Sequence, residues 1–207
     1  MKVLAINGSH RKGKNTAEML RLVLEEVSAA GAVTELLEIT DYNISPCRSC
    51  NHCLKKPECS ITDDDMGIIA GKMLAADGIV VGSPVYFNNV TGLMKIFMDR
   101  TRSMHMCRNM LSGRVGAALT HAGLRNGGQE AVLAILGNFL KSHGIEVVDS
   151  RNKDGGVFNQ GAMGTMFEDL DGDTIIWKKG VADDTLAVRE CRQLGRNLAA
   201  RLKAGRR

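Results

Sequence analysis

Residues 2–16 read KVLAINGSHRKGKNT, and this stretch decides the fold class. Residues 2–6 form a short apolar run without polar alternation, as expected for a central strand of a parallel sheet covered on both faces. A polar glycine loop follows, and from Thr16 apolar residues recur at helical spacing as far as Gly31. A strand, a glycine loop and a helix in this order indicate an α/β protein.

The same alternation continues along the chain. Further strands are predicted at 33–39, 78–82, 115–120 and 145–148, and further helices at 63–76, 91–104, 131–143 and around 187–202. Five alternations predict an open five-stranded parallel sheet with right-handed crossovers, in one domain spanning residues 1–207. We interpret residues 41–62 as a long cysteine-rich loop and residues 151–180 as a C-terminal insertion of unassigned structure.

The composition of the 207-residue chain excludes several classes of protein. With 44% hydrophobic and 24% charged residues, it is neither disordered nor fibrous. No run approaches the roughly 18 apolar residues of a membrane span, and the N-terminus lacks a signal peptide, so we expect a cytoplasmic protein without membrane attachment. The net charge of +4 is too small to require nucleic acid as a partner.

The first strand-end loop has the features of a phosphate site, because it combines backbone N–H groups, hydroxyls and cations before a helix. The nucleotide-triphosphatase pattern is met from Gly8 to Lys14, but the following residue lacks the hydroxyl that would bind magnesium, and the dinucleotide fingerprint GxGxxG is absent. A phosphate monoester such as the tail of FMN remains, with a turn that binds no ligand as the alternative. The candidate residues are Ser9, Arg11, Lys14, Asn15 and Thr16.

Two later strand-end loops suit a planar ligand such as a flavin ring, because they combine aromatic side chains, backbone donors and small residues. The alternatives are ordinary packing of the two rings and a structural role for the histidine. The candidate residues of the second loop are Pro84, Val85, Tyr86, Phe87 and Asn88, and those of the third are His121, Ala122 and Gly123.

Four of the six cysteines lie within thirteen residues, at Cys47, Cys50, Cys53 and Cys59. Two gaps of two residues and one of five favour a single [4Fe-4S] cluster, with a structural zinc ion or free thiols as alternatives. Cys107 and Cys191 are expected to be buried small hydrophobic residues. The positive charges of Arg48, His52, Lys55 and Lys56 would attract an acidic redox partner or form a solvated loop face.

Three stretches resemble the iron-sulfur flavoprotein family, a branch of the NADPH-dependent FMN reductase and flavodoxin-like group. They are Gly8-Ser9-His10-Arg11 through Asn15-Thr16, the cysteine run leading into Asp64-Asp65-Met66, and Ser83-Pro84-Val85-Tyr86 through Lys95 and Asp99-Arg100. The resemblance implies a flavodoxin-like three-layer sandwich with FMN bound by the three loops. It also implies homodimers or homotetramers, in which the [4Fe-4S] cluster lies beside the flavin of a neighbouring subunit.

These observations together predict an oxidoreductase that passes electrons between a [4Fe-4S] cluster and FMN, without a catalytic acid or base. The expected electron donor is a ferredoxin-like protein or NAD(P)H. One alternative is an NAD(P)H-dependent FMN, quinone or nitroaromatic reductase that lacks the cluster. The others are a non-enzymatic electron carrier or redox sensor and, least favoured, a nucleic-acid regulator.

Overall fold

The computed structural model describes residues 1–152 and 161–205. Strands and helices alternate along most of the described chain, and a β-hairpin precedes the last helix. The strands are β1 (Lys2–Asn7), β2 (Val33–Glu38), β3 (Gly78–Pro84), β4 (Val115–Ala122), β5 (Glu146–Val148), β6 (Ala162–Thr165), β7 (Phe167–Asp171) and β8 (Thr174–Trp177). The helices are α1 (Asn15–Ala29), α2 (Met66–Leu74), α3 (Gly92–Arg100), α4 (Arg102–His105), α5 (Gln129–Ser142) and α6 (Thr185–Ala204).

The central sheet is parallel and has the strand order β2-β1-β3-β4-β5. This is the flavodoxin-like order, in which the chain direction across the sheet reverses between β1 and β3. Ligands of such sheets bind at the carboxyl ends of the strands beside this switch point. The predicted five-stranded parallel sheet is confirmed, and its topology brings the strand-end loops to one edge.

Helices cover both faces of the sheet, which explains why its strands lack polar alternation. One core cluster contains Ile69 of α2, Phe97 of α3 and Leu136 of α5. The other contains Val23 of α1 and Leu198 of α6. All residues of β3 and β4 are buried, so the predicted three-layer sandwich is confirmed.

Two segments of chain share the fifth strand position. β5 pairs with β4 at residues 115–117, and β6 pairs with the same strand at residues 119–122. β7 and β8 then form an antiparallel hairpin outside the central sheet. Of these four segments, only β5 is predicted from the sequence. Residues 153–160 of the predicted insertion lie outside the described residues.

Two predicted helix boundaries differ from the structure. The expected helix at 91–104 is divided into α3 and α4 at Thr101, whose hydroxyl donates to the carbonyl of Met98 at 2.6 Å. The helix expected from residue 63 begins at Met66 instead, and the carboxylate of Asp64 accepts a hydrogen bond from the Met66 N–H at 3.0 Å. The acidic residues therefore precede the helix and are available for other contacts.

The basic C-terminal helix α6 packs against α1 and is held there by ion pairs. Arg192 lies 3.1 Å from Glu26, and Arg196 lies 3.3 Å from the same carboxylate. Arg201 binds Glu146 of β5 through its Nε, at 2.6 Å. No helix in residues 1–152 or 161–205 has the length and apolar character needed to cross a bilayer.

Candidate functional site

The three strand-end loops are joined to one another at the carboxyl edge of the sheet. The N–H of Gly8 donates to the carbonyl of Gly82 at 2.8 Å, and that of Val85 to the carbonyl of His121 at 2.9 Å. Thr16 Oγ1 lies 3.0 Å from His121 Nε2. The three sets of candidate residues are therefore brought together, as the predicted topology requires.

The first loop presents cations to an open cleft of about 510 Å³ at the start of α1. The side chains of Arg11 and Lys14 are exposed and line this cleft. Lys14 precedes the helix without a side-chain cap, so the first turn of α1 is not capped by its preceding residue. Because a helix N-terminus favours negative charge, this arrangement is suited to an anion such as a phosphate.

Two buried side chains that the sequence analysis missed support this loop. Asn7 Oδ1 accepts a hydrogen bond from the N–H of Ser9 at 3.0 Å, and its amide donates to Glu38 Oε2 at 2.6 Å. Glu38 Oε1 in turn accepts from the N–H of Gly13 at 3.2 Å, and Gly13 has a φ of +70°. The side chains are thus bonded to both sides of the loop and fix its shape. Strand ends give no pattern that would separate such residues from ordinary strand residues.

Three of the predicted phosphate residues are engaged by the protein itself. Ser9 is 5% exposed, and its Oγ accepts a hydrogen bond from the N–H of Arg11 at 3.1 Å. Thr16 is only 1% exposed and its hydroxyl faces His121. The side-chain oxygen of Asn15 accepts from the N–H of Val181 at 3.3 Å, and its amide nitrogen lies 2.9 Å from the sulfur of Met166. Direct binding of phosphate by these three side chains stays a prediction.

His121 lies beneath the cleft as a neutral ring. Burial, together with the nearby charge of Arg11, lowers the pKa of His121 to about 4. Its Nδ1 has no hydrogen-bond partner among the described residues. The imidazole is therefore uncharged at neutral pH and orients Thr16 instead of adding a cation to the cleft.

The second loop ends in a tight turn that exposes an aromatic side chain. Tyr86 and Asn89 exchange backbone hydrogen bonds of 2.8 and 3.0 Å, and Phe87 and Asn88 between them have φ values of 50° and 57°. Phe87 is fully exposed at 101%, so the alternative in which both rings pack beneath the loop is wrong. A bulky residue in the left-handed region is strained, and such strain is concentrated at functional sites.

The third loop approaches the second so closely that one position requires glycine. Gly128 has a φ of +96°, and a Cβ there would lie 2.1 Å from Asn88 Oδ1. Gln129 closes the loop, since its amide donates to the carbonyl of Leu124 at 2.9 Å and accepts from the N–H of Gly127 at 2.7 Å. The loop that contains Ala122 and Gly123 is thereby fixed against the aromatic turn.

The four clustered cysteines line a single cavity in the long loop. Left-handed backbone at Ser49 and Asn51 turns the chain between the first three cysteines. In the described residues, no three His, Cys, Asp or Glu side chains converge as a single metal ion requires. A cubane cluster takes one thiolate at each of four separate irons, so it does not require that convergence.

Arg100 lies at the base of this cavity and is 2% exposed. Its guanidinium donates to the carbonyls of Ser45 at 2.7 Å and Ile61 at 3.3 Å and forms an ion pair with Asp64. Burial alone would raise the pKa of Asp64, but hydrogen bonds from Arg100 and from backbone N–H groups lower this pKa to about 2. Arg100 Nε remains a buried donor without a partner in the described chain.

The two remaining cysteines differ from each other. Cys191 is buried, as predicted, and burial raises the pKa of its thiol. The prediction for Cys107 is wrong, because this residue is exposed and its sulfur lies 3.1 Å from the carbonyl oxygen of Cys53. A short helix, α4, brings it beside the cysteine loop.

The positive charge around the cysteines is partly compensated. His52 lies 3.1 Å from Glu58, and Lys56 lies 4.0 Å from the same carboxylate. Arg102 donates to Asn51 Oδ1 at 3.0 Å. Arg48 and Lys55 are exposed on the same loop, which leaves its outer face basic.

Comparison with known proteins identifies the family. Residues 1–152 match the family described as NADPH-dependent FMN reductase. An iron-sulfur flavoprotein of Methanosarcina thermophila is 38% identical over 157 residues, covering 76% of this chain and 82% of that protein. Another, of Methanocaldococcus jannaschii, is 34% identical over 195 residues, or 93% and 92% of the two chains.

A solved structure supports the fold. The flavodoxin, WrbA-like protein from Agrobacterium tumefaciens superposes with a TM-score of 0.63 at 15% identity and covers 99% of this chain and 98% of that one. The sheet order, the joined strand-end loops and the sequence matches agree. The chain therefore belongs to the iron-sulfur flavoprotein family, within the NADPH-dependent FMN reductases, and is a flavin-dependent oxidoreductase.

Proposed function

We propose that this protein binds FMN at the three strand-end loops and a [4Fe-4S] cluster at the cysteine loop, and passes electrons between them. One observation carries the cluster assignment: all four clustered cysteines line one cavity together with buried Arg100, whose Nε has no hydrogen-bond partner among the described residues. Four thiolates are the usual ligand set of a cubane, and a buried cationic donor complements its negative charge. The residues present therefore fit such a group.

The flavin loops would divide the work of binding FMN between them. Arg11, Lys14 and the first turn of α1 would hold the phosphate, for which they provide charge and N–H donors. Tyr86 and the backbone of the second and third loops would contact the ring. His121 is neutral and hydrogen-bonded to Thr16, so it would position the loop.

When bound, the cluster would supply one-electron transfer and the flavin one- or two-electron chemistry. Cys47 and Cys50 are exposed, so a partner protein could approach this side of the loop. We propose a ferredoxin-like donor for it, attracted by the basic face, or NAD(P)H at the flavin. A cytoplasmic homodimer or homotetramer, with each cluster beside a neighbouring flavin, completes the proposal.

Anaerobic purification followed by a visible spectrum and by iron and sulfide assays tests this function. Flavin bands above a broad iron-sulfur shoulder, with about four irons per chain, are the expected result. Flavin bands without iron in protein prepared and reconstituted under anaerobic conditions would overturn the cluster.

Flavin bands without iron would favour another candidate, an NAD(P)H-dependent reductase without a cluster. The match to NADPH-dependent FMN reductases over residues 1–152 supports it. The result expected for such a reductase is rapid bleaching of the bound flavin by NADPH, with turnover of FMN or quinone acceptors. Bleaching only by a reduced ferredoxin would support the two-cofactor electron carrier.

A further inference from the structure

The hairpin β7–β8 is attached to the third strand-end loop. It follows β6 directly and lies beyond residues 1–152, where the family match ends. The N–H of Met166 donates to the carbonyl of Ala122 at 3.0 Å, and the hydroxyl of Thr165 donates to that of Gly123 at 3.3 Å. The base of the hairpin is therefore fixed to two of the predicted flavin residues.

The same segment also contacts the start of α1. Asn15 bonds to the N–H of Val181 through its side-chain oxygen and lies against the sulfur of Met166 through its amide. The N–H of Lys178 donates to the carbonyl of Met166 at 2.8 Å and closes the end of the hairpin. The hairpin thus bridges the first and third loops across the cleft described above.

The last residues of the hairpin line that cleft. Trp177, Lys178 and Lys179 share it with Arg11 and Lys14. Trp177 is 49% exposed, and its ring comes within 3.6 Å of the point at which a Cβ on Gly123 would lie. This distance is an ordinary van der Waals contact, so the ring of Trp177 lies directly against the third loop at Gly123.

The charges of the cleft are unbalanced. Of the side chains that line it in the described chain, Arg11, Lys14, Lys178 and Lys179 are cationic and none is acidic. The ammonium of Lys178 donates to the carbonyl of Phe167 within the hairpin, whereas Lys179 is exposed. Cations that line one cleft repel one another, and an anion bound among them reduces this repulsion. A phosphate monoester, with nearly two negative charges at neutral pH, meets this requirement.

We propose that the hairpin is part of the flavin site. Lys179 binds the phosphate of FMN together with Arg11 and Lys14, and Trp177 covers Gly123 and shields that contact from water. The inference rests on the proposed binding of FMN at the three loops. Its consequence is selectivity for a flavin phosphate monoester over riboflavin, which has the same ring but no phosphate.

Titration of flavin-free protein with FMN and with riboflavin, followed by flavin fluorescence, tests the assignment. In Lys179→Ala the affinity for FMN should fall about tenfold, as expected for a lost charge-assisted contact, whereas that for riboflavin should change less than about twofold. Trp177→Ala should also weaken FMN more than riboflavin. Lys12→Ala is the matched control. Lys12 lies in the same loop as Arg11 and Lys14, but its ammonium is paired with Asp41 at 2.6 Å.

The outcomes separate this inference from the function on which it rests. A wild-type protein that binds neither flavin would overturn the FMN site itself. A wild-type preference for FMN that survives in both Lys179→Ala and Trp177→Ala leaves the FMN site in place and overturns the role of the hairpin. If Lys12→Ala loses as much FMN affinity as Lys179→Ala, the role of the hairpin is also overturned. The effect would then come from the overall charge of the protein and not from one contact. Both tested side chains are exposed, Trp177 at 49%, so folding is expected to persist.

Discussion

Arg100 and Asp64 form an ion pair buried beneath the cysteine loop, with side chains that are 1% and 2% exposed. The same guanidinium donates to carbonyls on both sides of the cysteines, at Ser45 and Ile61. One side chain of α3 therefore fixes both ends of the loop and lines its cavity, with an Nε–H that has no partner among the described residues.

Arg100→Gln should destabilise the protein by about 3–5 kcal/mol, because it leaves the carboxylate of Asp64 buried without its cation. Urea unfolding of the cofactor-free protein measures this loss. Arg102→Gln is the matched control, since Arg102 lines the same cavity but, among the described residues, donates to the side chain of the exposed Asn51 instead of a buried carboxylate. We expect the control to lie within about 0.5 kcal/mol of wild type. Equal losses for the two variants would contradict the role of the buried pair.

Cys53→Ala should abolish bound iron and leave FMN in place, because the cysteine cavity and the flavin loops are formed by separate segments of chain. Iron and flavin contents of anaerobically reconstituted protein measure the two effects. Cys107→Ser is the control, as this thiol lies beside Cys53 yet outside the ligand set. Wild-type iron in Cys53→Ala, or loss of iron in Cys107→Ser alone, would show that the ligand set is wrong.

Lys14→Ala should weaken FMN binding about tenfold, because an exposed cation at the start of α1 is lost from the cleft. Flavin retained through gel filtration and the dissociation constant of reconstituted protein both report the change. Unchanged retention would contradict the phosphate assignment of the first loop.

The free energy of unfolding should fall between about pH 6.5 and pH 4. Burial lowers the pKa of both His121 and His143 to about 4, whereas an unfolded histidine titrates near 6.5. The unfolded chain therefore binds more protons in this interval, and acid favours unfolding by about 2–3 kcal/mol per histidine. Urea unfolding at pH 7 and pH 4.5 measures the difference.

The variant His143→Gln isolates one of these contributions. In the wild-type protein the His143 ring is buried, and its Nε2 lies 2.9 Å from Thr101 Oγ1. The ring does not line the cleft proposed for the flavin. The variant should lose part of the pH dependence, and His10→Gln, with an exposed ring, should keep it. Identical pH dependence in His143→Gln and wild type would contradict this explanation.

Phe87→Gly should not destabilise the protein and is expected to raise its stability by up to about 1 kcal/mol. Glycine adopts a φ of 50° without strain, and no packing is lost because the phenyl ring is fully exposed. Phe97→Ala is the contrasting control, since that ring is completely buried and its removal should cost about 3–5 kcal/mol. A large loss in Phe87→Gly would mean that the ring packs against the protein in solution.

The alternation of apolar runs and helices was sufficient to predict the sheet, because burial on both faces leaves a signal in each strand. β6–β8 gave no such signal. β6 is Ala-Met-Gly-Thr, and most of β7 is exposed and polar, so neither segment shows the periodicity of a buried strand. The hairpin is held by contacts with residues far away in sequence, such as Asn15, which local pattern cannot reveal.

The functional residues divide in the same way. The cysteines and the loop cations were recognisable because their spacing or crowding is unusual for a purely structural role. Arg100 and Glu38 were not, since a charged residue at a helix or strand end normally faces solvent. Their burial depends on partners elsewhere in the chain, Asp64 and Asn7, and only the tertiary structure pairs them.

The hydrogen bonds from Arg100 to both ends of the cysteine loop determine when this loop closes. Because the guanidinium ties together the two ends of the cysteine loop, the chain bears the entropic cost of closing that loop during folding and independently of any metal. Zinc fingers differ, since their loops close only as the ion binds. This loop is instead closed by the protein itself, so the proposed cluster would be delivered to a folded chain, with no renewed folding of its scaffold.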